Sequence, residues 1–169
     1  MNQRDIFEQA YIDFGDQIFR YVYFRIFDRD MAKDLTQETF YKVWDYLAKG
    51  KEIENIKAFL YRTAHNVTVN AIRAKKPVVS LDDMHDNMGY DAPDVDAEQA
   101  ARNARDVHEV IESFAILKPQ DADLMKLRYV DGLSVQEISS ITQMSENNIS
   151  VKIHRLIEKL RDYHNQHET

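Results

Sequence analysis

The chain contains no cysteine, only four glycines and three prolines, and no apolar run near the length of a membrane span. Without cysteine there is no disulfide framework, no thiolate zinc site and no thiol nucleophile, a composition that suits a reducing compartment. So few glycines and prolines supply too few turns for an all-β fold. A membrane-spanning helix needs roughly 20 apolar residues, and the opening stretch "MNQRDIFEQAYIDF" lacks the apolar run of a signal peptide. The chain also has no phosphate-cradling glycine loop, no zinc-protease motif and no nucleophile elbow. The spacing of His164 and His167 resembles that of metal ligands, but they sit in a polar tail and read as solvated. The expectation is a soluble, cytoplasmic, helical protein that is not an enzyme and takes no cofactor or metal.

What is present is enough for real cores: 44% of the 169 residues are apolar and 11% aromatic. That length accommodates one domain or two small helical ones. A net charge of −7 is unfavourable for binding phosphates, yet its distribution is uneven. Residues 1–79 carry 13 Lys and Arg against 11 Asp and Glu, residues 80–101 carry none against 7, and residues 102–169 carry 9 against 11. The middle stretch therefore accounts for the whole net charge. Its sequence, "SLDDMHDNMGYDAPDVDAEQA", lacks helical periodicity and contains Gly89 and Pro93, so it reads as a flexible acidic linker. A simple solvated tether and a functional segment are both compatible with it.

The first module reads as three long helices. Ile6, Phe7, Ala10, Phe14, Ile18, Tyr21, Val22 and Ile26 recur near the helical period, with Gly15 as the weak point. Asp30 offers a cap for a second helix with a core stripe of Ala32, Leu35, Thr39, Val43 and Tyr46 or Leu47, ended by Gly50. Phe40 and Trp44 are expected to pack within the domain, Trp44 at its rim. On the outer side Asp34, Gln37, Glu38 and Asp45 line up beside aromatic residues, an acidic face that by itself reads as ordinarily solvated. After the polar loop "KGKEIEN", the third helix buries Ile56, Leu60, Ala64, Val67 and Ala71. Its other side carries Tyr61, Arg62, His65, Asn66, Asn70 and Arg73, a mixture that suits single-stranded nucleic acid and equally suits an ordinary solvated face.

The second module carries the sharper pattern. In "DGLSVQEISSITQMSENNISVKIHRLIEKL", Gly132 closes one helix, and Ser134 with Glu137 forms a capping box for the next. Leu133, Val135, Ile138 and Ile141 point inward. After the turn "TQM", Ser145 caps another helix whose inward stripe is Ile149, Ile153, Leu156 and Leu160. Two short capped helices joined by so tight a turn predict a helix-turn-helix, which lays its second helix in the DNA major groove. A structural helical hairpin is the plainer alternative. At 100° per residue, Asn147, Val151, His154, Arg155 and Glu158 lie opposite the stripe, flanked by Asn148 and Lys152. Asn pairs with adenine, Arg with guanine or phosphate, and an exposed Val meets a thymine methyl, while Lys152 and Lys159 suit phosphate.

"DLTQETFYKVW", then "IKAFLYRTAHNVTVNAIR", an acidic linker, and "LKPQDADLMKLRYVDGLSVQEISSITQMSENNISVKIHRLIEKL" together resemble a bacterial RNA polymerase sigma factor of the extracytoplasmic-function class, within the sigma-70 family. The resemblance covers nearly all of the chain outside the linker and tail. It implies an all-α protein of two small helical domains. Residues 1–76 would be sigma domain 2, a three-helix bundle; residues 77–101 the flexible acidic linker; and residues 102–169 sigma domain 4, with the helix-turn-helix. Asp34, Gln37 and Glu38 would dock on the clamp helices of core RNA polymerase. Lys51, Asn55, Tyr61, Arg62, His65, Asn66 and Arg73 would recognise and open the minus-ten promoter element, the loop from Lys51 to Asn55 holding a flipped base. Asn147, Asn148, Val151, Lys152 and Arg155 would read the minus-thirty-five element while the apolar surface of domain 4 grips the polymerase flap.

The same resemblance implies an anti-sigma factor as a further partner and no direct membrane insertion. The linker would thread the polymerase as a nucleic-acid mimic, so the free protein is expected to bind promoter DNA weakly. Two positions depart from the family pattern: Gln143 stands in the turn where glycine is common, and Ser150 where Lys or Arg is common. A stand-alone LuxR-type regulator shares the "GLS…EI…S…VK.H…I..KL" pattern, but it would carry a sensing domain with strands in front of it. A purely structural helical adaptor would bind no DNA.

Overall fold

The computed structural model describes residues 2–75 and 97–167, and every regular element among them is helical. The chain divides into two compact units, Met1–Met88 and Gly89–Thr169.

The first unit is a bundle of α1 (Gln3–Ile26), α2 (Arg29–Ala48) and α3 (Ile56–Ala74), in which each helix packs on the other two. Local chemistry sets each boundary. Asn2 Oδ1 accepts from the Asp5 backbone N–H at 2.9 Å and Asp5 Oδ2 accepts from the Asn2 N–H at 3.2 Å, a reciprocal box that starts α1. Phe27 ends α1 in a left-handed conformation, φ 55°, its N–H donating to Tyr23 O at 2.7 Å. That conformation costs a side-chain-bearing residue roughly 1–2 kcal/mol, offset here by ring packing on Tyr23 and Phe24. The cap of α2 is Asp28, not the expected Asp30: Asp28 Oδ1 accepts from the Met31 N–H at 2.9 Å. The helix begins earlier than its apolar stripe, so Asp30 falls in the first turn, where its charge suits the helix dipole. The other Asp28 oxygen lies 3.7 Å from Lys75 Nζ, joining the start of α2 to the end of α3.

The core between these helices is largely aromatic. Tyr21 and Tyr61 meet edge to face at 5.3 Å among fully buried Ile18, Val22, Val43, Leu47 and Leu60. Phe40 is buried against Phe7 and Tyr11, and Trp44 packs on Phe7 at the rim, 36% exposed, both as expected. Burial raises the pKa of the Tyr23 phenol above its ordinary value, and the nearby Arg29 charge opposes that shift.

The second unit holds α4 (Ala97–Ser113), a single 3₁₀ turn at Phe114–Ile116, α5 (Pro119–Tyr129), α6 (Val135–Thr142) and α7 (Glu146–His167). The expected linker at 77–101 is shortened at its end, because residues 97–101 already form the first turn of α4; residues 77–96 lie outside the described residues. Pro119 opens α5 at the one position where its missing N–H costs nothing. Gly132, φ 68°, turns the chain out of α5. Ser134 and Glu137 form the expected box, at 3.1 and 2.8 Å. The core here is aliphatic, built mainly from Leu124, Met125, Leu127, Leu133, Ile138, Ile149, Ile153 and Leu156.

Candidate nucleic-acid and polymerase interfaces

On α2, Asp34, Gln37 and Glu38 are all exposed, one turn apart on the side away from buried Leu35, Thr39 and Val43. Glu38 pairs with Lys42 at 3.4 Å across the exposed surface, and Asp34 stands one turn earlier on the same side. Tyr41 stands on the same face and is 68% exposed. Tyr41 lies outside the residues expected to dock, although its place four residues after Gln37 and three after Glu38 puts it on their side of the helix. This face can accept hydrogen bonds from basic side chains and offers a ring beside them.

The loop and α3 separate the expected strand-binding residues into two groups. Arg62, Asn66, Asn70 and Arg73 are exposed and follow one another around the helix at near-helical spacing. Lys51 is exposed in the loop, its ammonium 4.9 Å from the centre of the Tyr46 ring. Asn55 is exposed but serves as the cap of α3, its Oδ1 accepting from the Ala58 N–H at 2.9 Å. His65 is half-buried, with Nδ1 3.2 Å from the Tyr21 hydroxyl. Tyr61 corrects the expectation outright: it is 1% exposed and belongs to the core, so its ring presents no stacking surface to a base. α3 packs on both neighbours, so its buried arc includes Ala58, Tyr61 and Thr68 beyond the single expected stripe.

The helix-turn-helix forms as its caps dictate. Gln143 turns the chain out of α6 with φ 62°, and its Nε2 donates to Ser140 O at 2.9 Å. Thr142 belongs to the last turn of α6, so the connection is Gln143, Met144 and Ser145. Ser145 Oγ then accepts from the Asn148 N–H at 3.2 Å, capping α7. Ile149, Ile153 and Leu156 anchor α7 inward, while Asn147, Asn148, Val151, His154, Arg155 and Glu158 face outward and are exposed.

Asn147, Asn148, Val151, Lys152 and Arg155 line one open groove, together with Lys118 and Asp121 from the start of α5 and Lys159 from the next turn of α7. Lys152 differs from the rest: its Nζ lies 2.7 Å from Asp121 Oδ1, and the pair is partly covered. Neither Lys118 nor Asp121 was legible from the α7 pattern, since only packing brings α5 beside it. Among the described residues, no group of three or more His, Asp or Glu is placed to hold a metal ion, and no helix is long and apolar enough to cross a membrane.

The described residues thus form a three-helix bundle with an exposed polar face on α2, and a capped helix-turn-helix with a polar outer face on α7. Residues 10–78 match the family model described as "Sigma-70 region 2", and residues 108–160 match "Sigma-70, region 4". The chain is 28% identical over 160 residues to "RNA polymerase sigma factor YlaC" of Bacillus subtilis, covering 92% of this chain and 90% of that protein. It is 24% identical over 161 residues to "ECF RNA polymerase sigma factor SigM" of the same organism, covering 94% and 95%. The solved structure of CnrH, in complex with the cytosolic domain of CnrY, has the same fold, with a TM-score of 0.67 at 17% identity over 97% of this chain and 90% of that one. The chain belongs to the sigma-70 family, in its extracytoplasmic-function class. It is an alternative sigma factor acting in transcription initiation. The LuxR-type alternative finds no support: both matching models are sigma regions, and the described front unit is helical and carries no strand.

Proposed function

We propose that this chain works without catalysis of its own, in the cytoplasm, by docking on core RNA polymerase through α2 and choosing promoters through two separate DNA faces. Asp34, Gln37 and Glu38 engage basic side chains of the polymerase clamp helices through charge-assisted hydrogen bonds, with Tyr41 packing beside them. The loop from Lys51 to Asn55 and the exposed line Arg62, Asn66 and Arg73 hold the opened minus-ten strand. Extruding a base costs a few kcal/mol of stacking and pairing, so a site that binds the extruded base traps the open state without ATP. Tyr61 takes no part in that contact and instead fixes the pitch of α3 from within the bundle. α7 enters the major groove at the minus-thirty-five element with Asn147, Asn148, Val151 and Arg155 toward base edges, while the apolar surface of the second unit meets the polymerase flap. Membership of the family makes an anti-sigma factor the expected protein that holds the chain inactive. Domain 2 spans residues 1–76 and domain 4 residues 102–169, joined by the stretch 77–101, whose last residues already belong to α4.

The observation that carries this reading is the outward face of α7, where Asn147, Asn148, Val151 and Arg155 are exposed together along a helix capped and anchored as a recognition helix. The test is reconstituted transcription from a promoter library with purified core polymerase. The wild-type chain should give specific start sites. The triple variant Asp34→Ala, Gln37→Ala, Glu38→Ala should weaken core binding by at least about tenfold, equivalent to roughly 1.4 kcal/mol. Arg62→Ala with Arg73→Ala should keep core binding and lose strand opening, seen as missing permanganate-reactive thymines. A chain that folds but never associates with core polymerase would end the proposal.

A further inference from the structure

The groove beside α7 contains one carboxylate among four cations, and that carboxylate is already engaged. Asp121 sits in the first turn of α5, where the unpaired N–H groups of the helix start favour its anionic form. Its Oδ1 is 2.7 Å from Lys152 Nζ, and its side chain is only 19% exposed, against 38% for that of Lys152. For Lys152 to reach a DNA phosphate, it would have to abandon a largely covered carboxylate and leave that charge facing the incoming polyanion. Desolvation and repulsion both oppose the exchange. Lys118, Arg155 and Lys159 are exposed on the same groove and carry no such tie among the described residues. From the spacing of α7 alone Lys152 ranks with these as a phosphate contact, but its geometry sets it apart.

We propose that Lys152 is a positioning residue: its ion pair with Asp121 pins α7 to the start of α5 and fixes the angle at which Asn148, Val151 and Arg155 meet the bases, instead of neutralising a phosphate. The pair acts from the side, one turn after Asn148 and beside Val151, so it holds the middle of the reading face and leaves the base-contacting atoms untouched. Asp121 also subtracts one positive charge from the groove. That lowers affinity for arbitrary DNA and leaves discrimination to the amides, Val151 and Arg155. The inference rests on α7 being the duplex-reading helix, but it does not require that the chain bind polymerase.

The test measures binding of the full chain to a short duplex of scrambled sequence across a range of salt concentrations. A phosphate contact contributes about 0.9 to the slope of log affinity against log salt. Lys159→Met, which removes an exposed cation of the same groove outside the base-reading set, should lower the slope by about that amount, and Lys152→Met should leave it unchanged. Asp121→Asn, nearly isosteric, should free Lys152, raise the slope by about 0.9 and tighten scrambled-duplex binding several-fold. The double variant Asp121→Asn, Lys152→Met should return to the wild-type slope. A fall for Lys152→Met equal to that for Lys159→Met would overturn the proposal. Lysine side-chain nuclear magnetic resonance on the free protein gives a DNA-independent readout. The Lys152 ammonium signal should move in Asp121→Asn and stay fixed when scrambled duplex is added to wild type; no movement in the variant would also overturn it. Loss of core polymerase binding would leave both readouts intact, so failure of the pair and failure of the sigma reading are distinguishable.

Discussion

The two units bury their helices differently, and the difference governs how far a pattern of side chains reveals a functional face. In the first unit, α3 lies against both α1 and α2 and buries Ala58, Leu60, Tyr61, Ala64, Val67 and Thr68, a wide arc. In the second, α7 buries only Ile149, Ile153 and Leu156, one narrow stripe. A narrow stripe leaves the opposite face certain. A wide arc draws in residues that, at 100° per residue, seem to belong to the flank. Tyr61 is the instance: next to Leu60 in sequence, it is drawn inward because a second neighbour closes over it, while Val151 on α7 stays 40% exposed.

Replacing these two residues is the strongest way to break that contrast. Tyr61→Ala should destabilise the first unit by about 3–5 kcal/mol, measured by urea unfolding, because it empties a fully buried ring site against Tyr21. Val151→Ala should change stability by less than about 0.5 kcal/mol and be felt in promoter choice instead. If the two cost the same, the wide and narrow arcs are not the real difference. A smaller effect sharpens the reading of α2. Asp28→Ala should cost about 1–2 kcal/mol by removing the cap on Met31 N–H and the partner of Lys75, whereas Asp30→Ala should cost about 0.5 kcal/mol or less. The smallest effect is in the second unit and has the opposite sign. Gln143→Gly should stabilise it by about 1 kcal/mol or less, seen as a raised melting midpoint, since glycine relieves the left-handed backbone at φ 62° at the loss of one exposed bond to Ser140.

Gln143 also shows how a departure from the family pattern is absorbed. Glycine is common there because the turn needs positive φ, and this chain keeps the same φ with a residue whose amide bonds back to the helix it leaves. The helix-turn-helix was legible because its signals are local: a capping box, a tight turn, a serine cap and an inward stripe all fall within about one helix length of each other. The exposed polar face of α2 was legible for the same reason, since Asp34, Gln37 and Glu38 need only helical spacing to share a side. The misplaced cap at Asp30 was a different kind of miss. Two acids two residues apart can each start a helix, and the choice went to Asp28, which also meets Lys75 from the far end of the bundle.

The amino-acid sequence by itself determined that this protein is helical, that it carries a helix-turn-helix with Asn147, Asn148, Val151 and Arg155 outward, and that it presents carboxylates and an amide on α2. Those features follow from propensity, caps and period, which act over a few residues. Tertiary structure alone decided that Tyr61 is core and that Asp121 binds Lys152. Burial and ion pairing depend on which helices come to lie beside one another, and sequence spacing along a single helix carries no record of its neighbours.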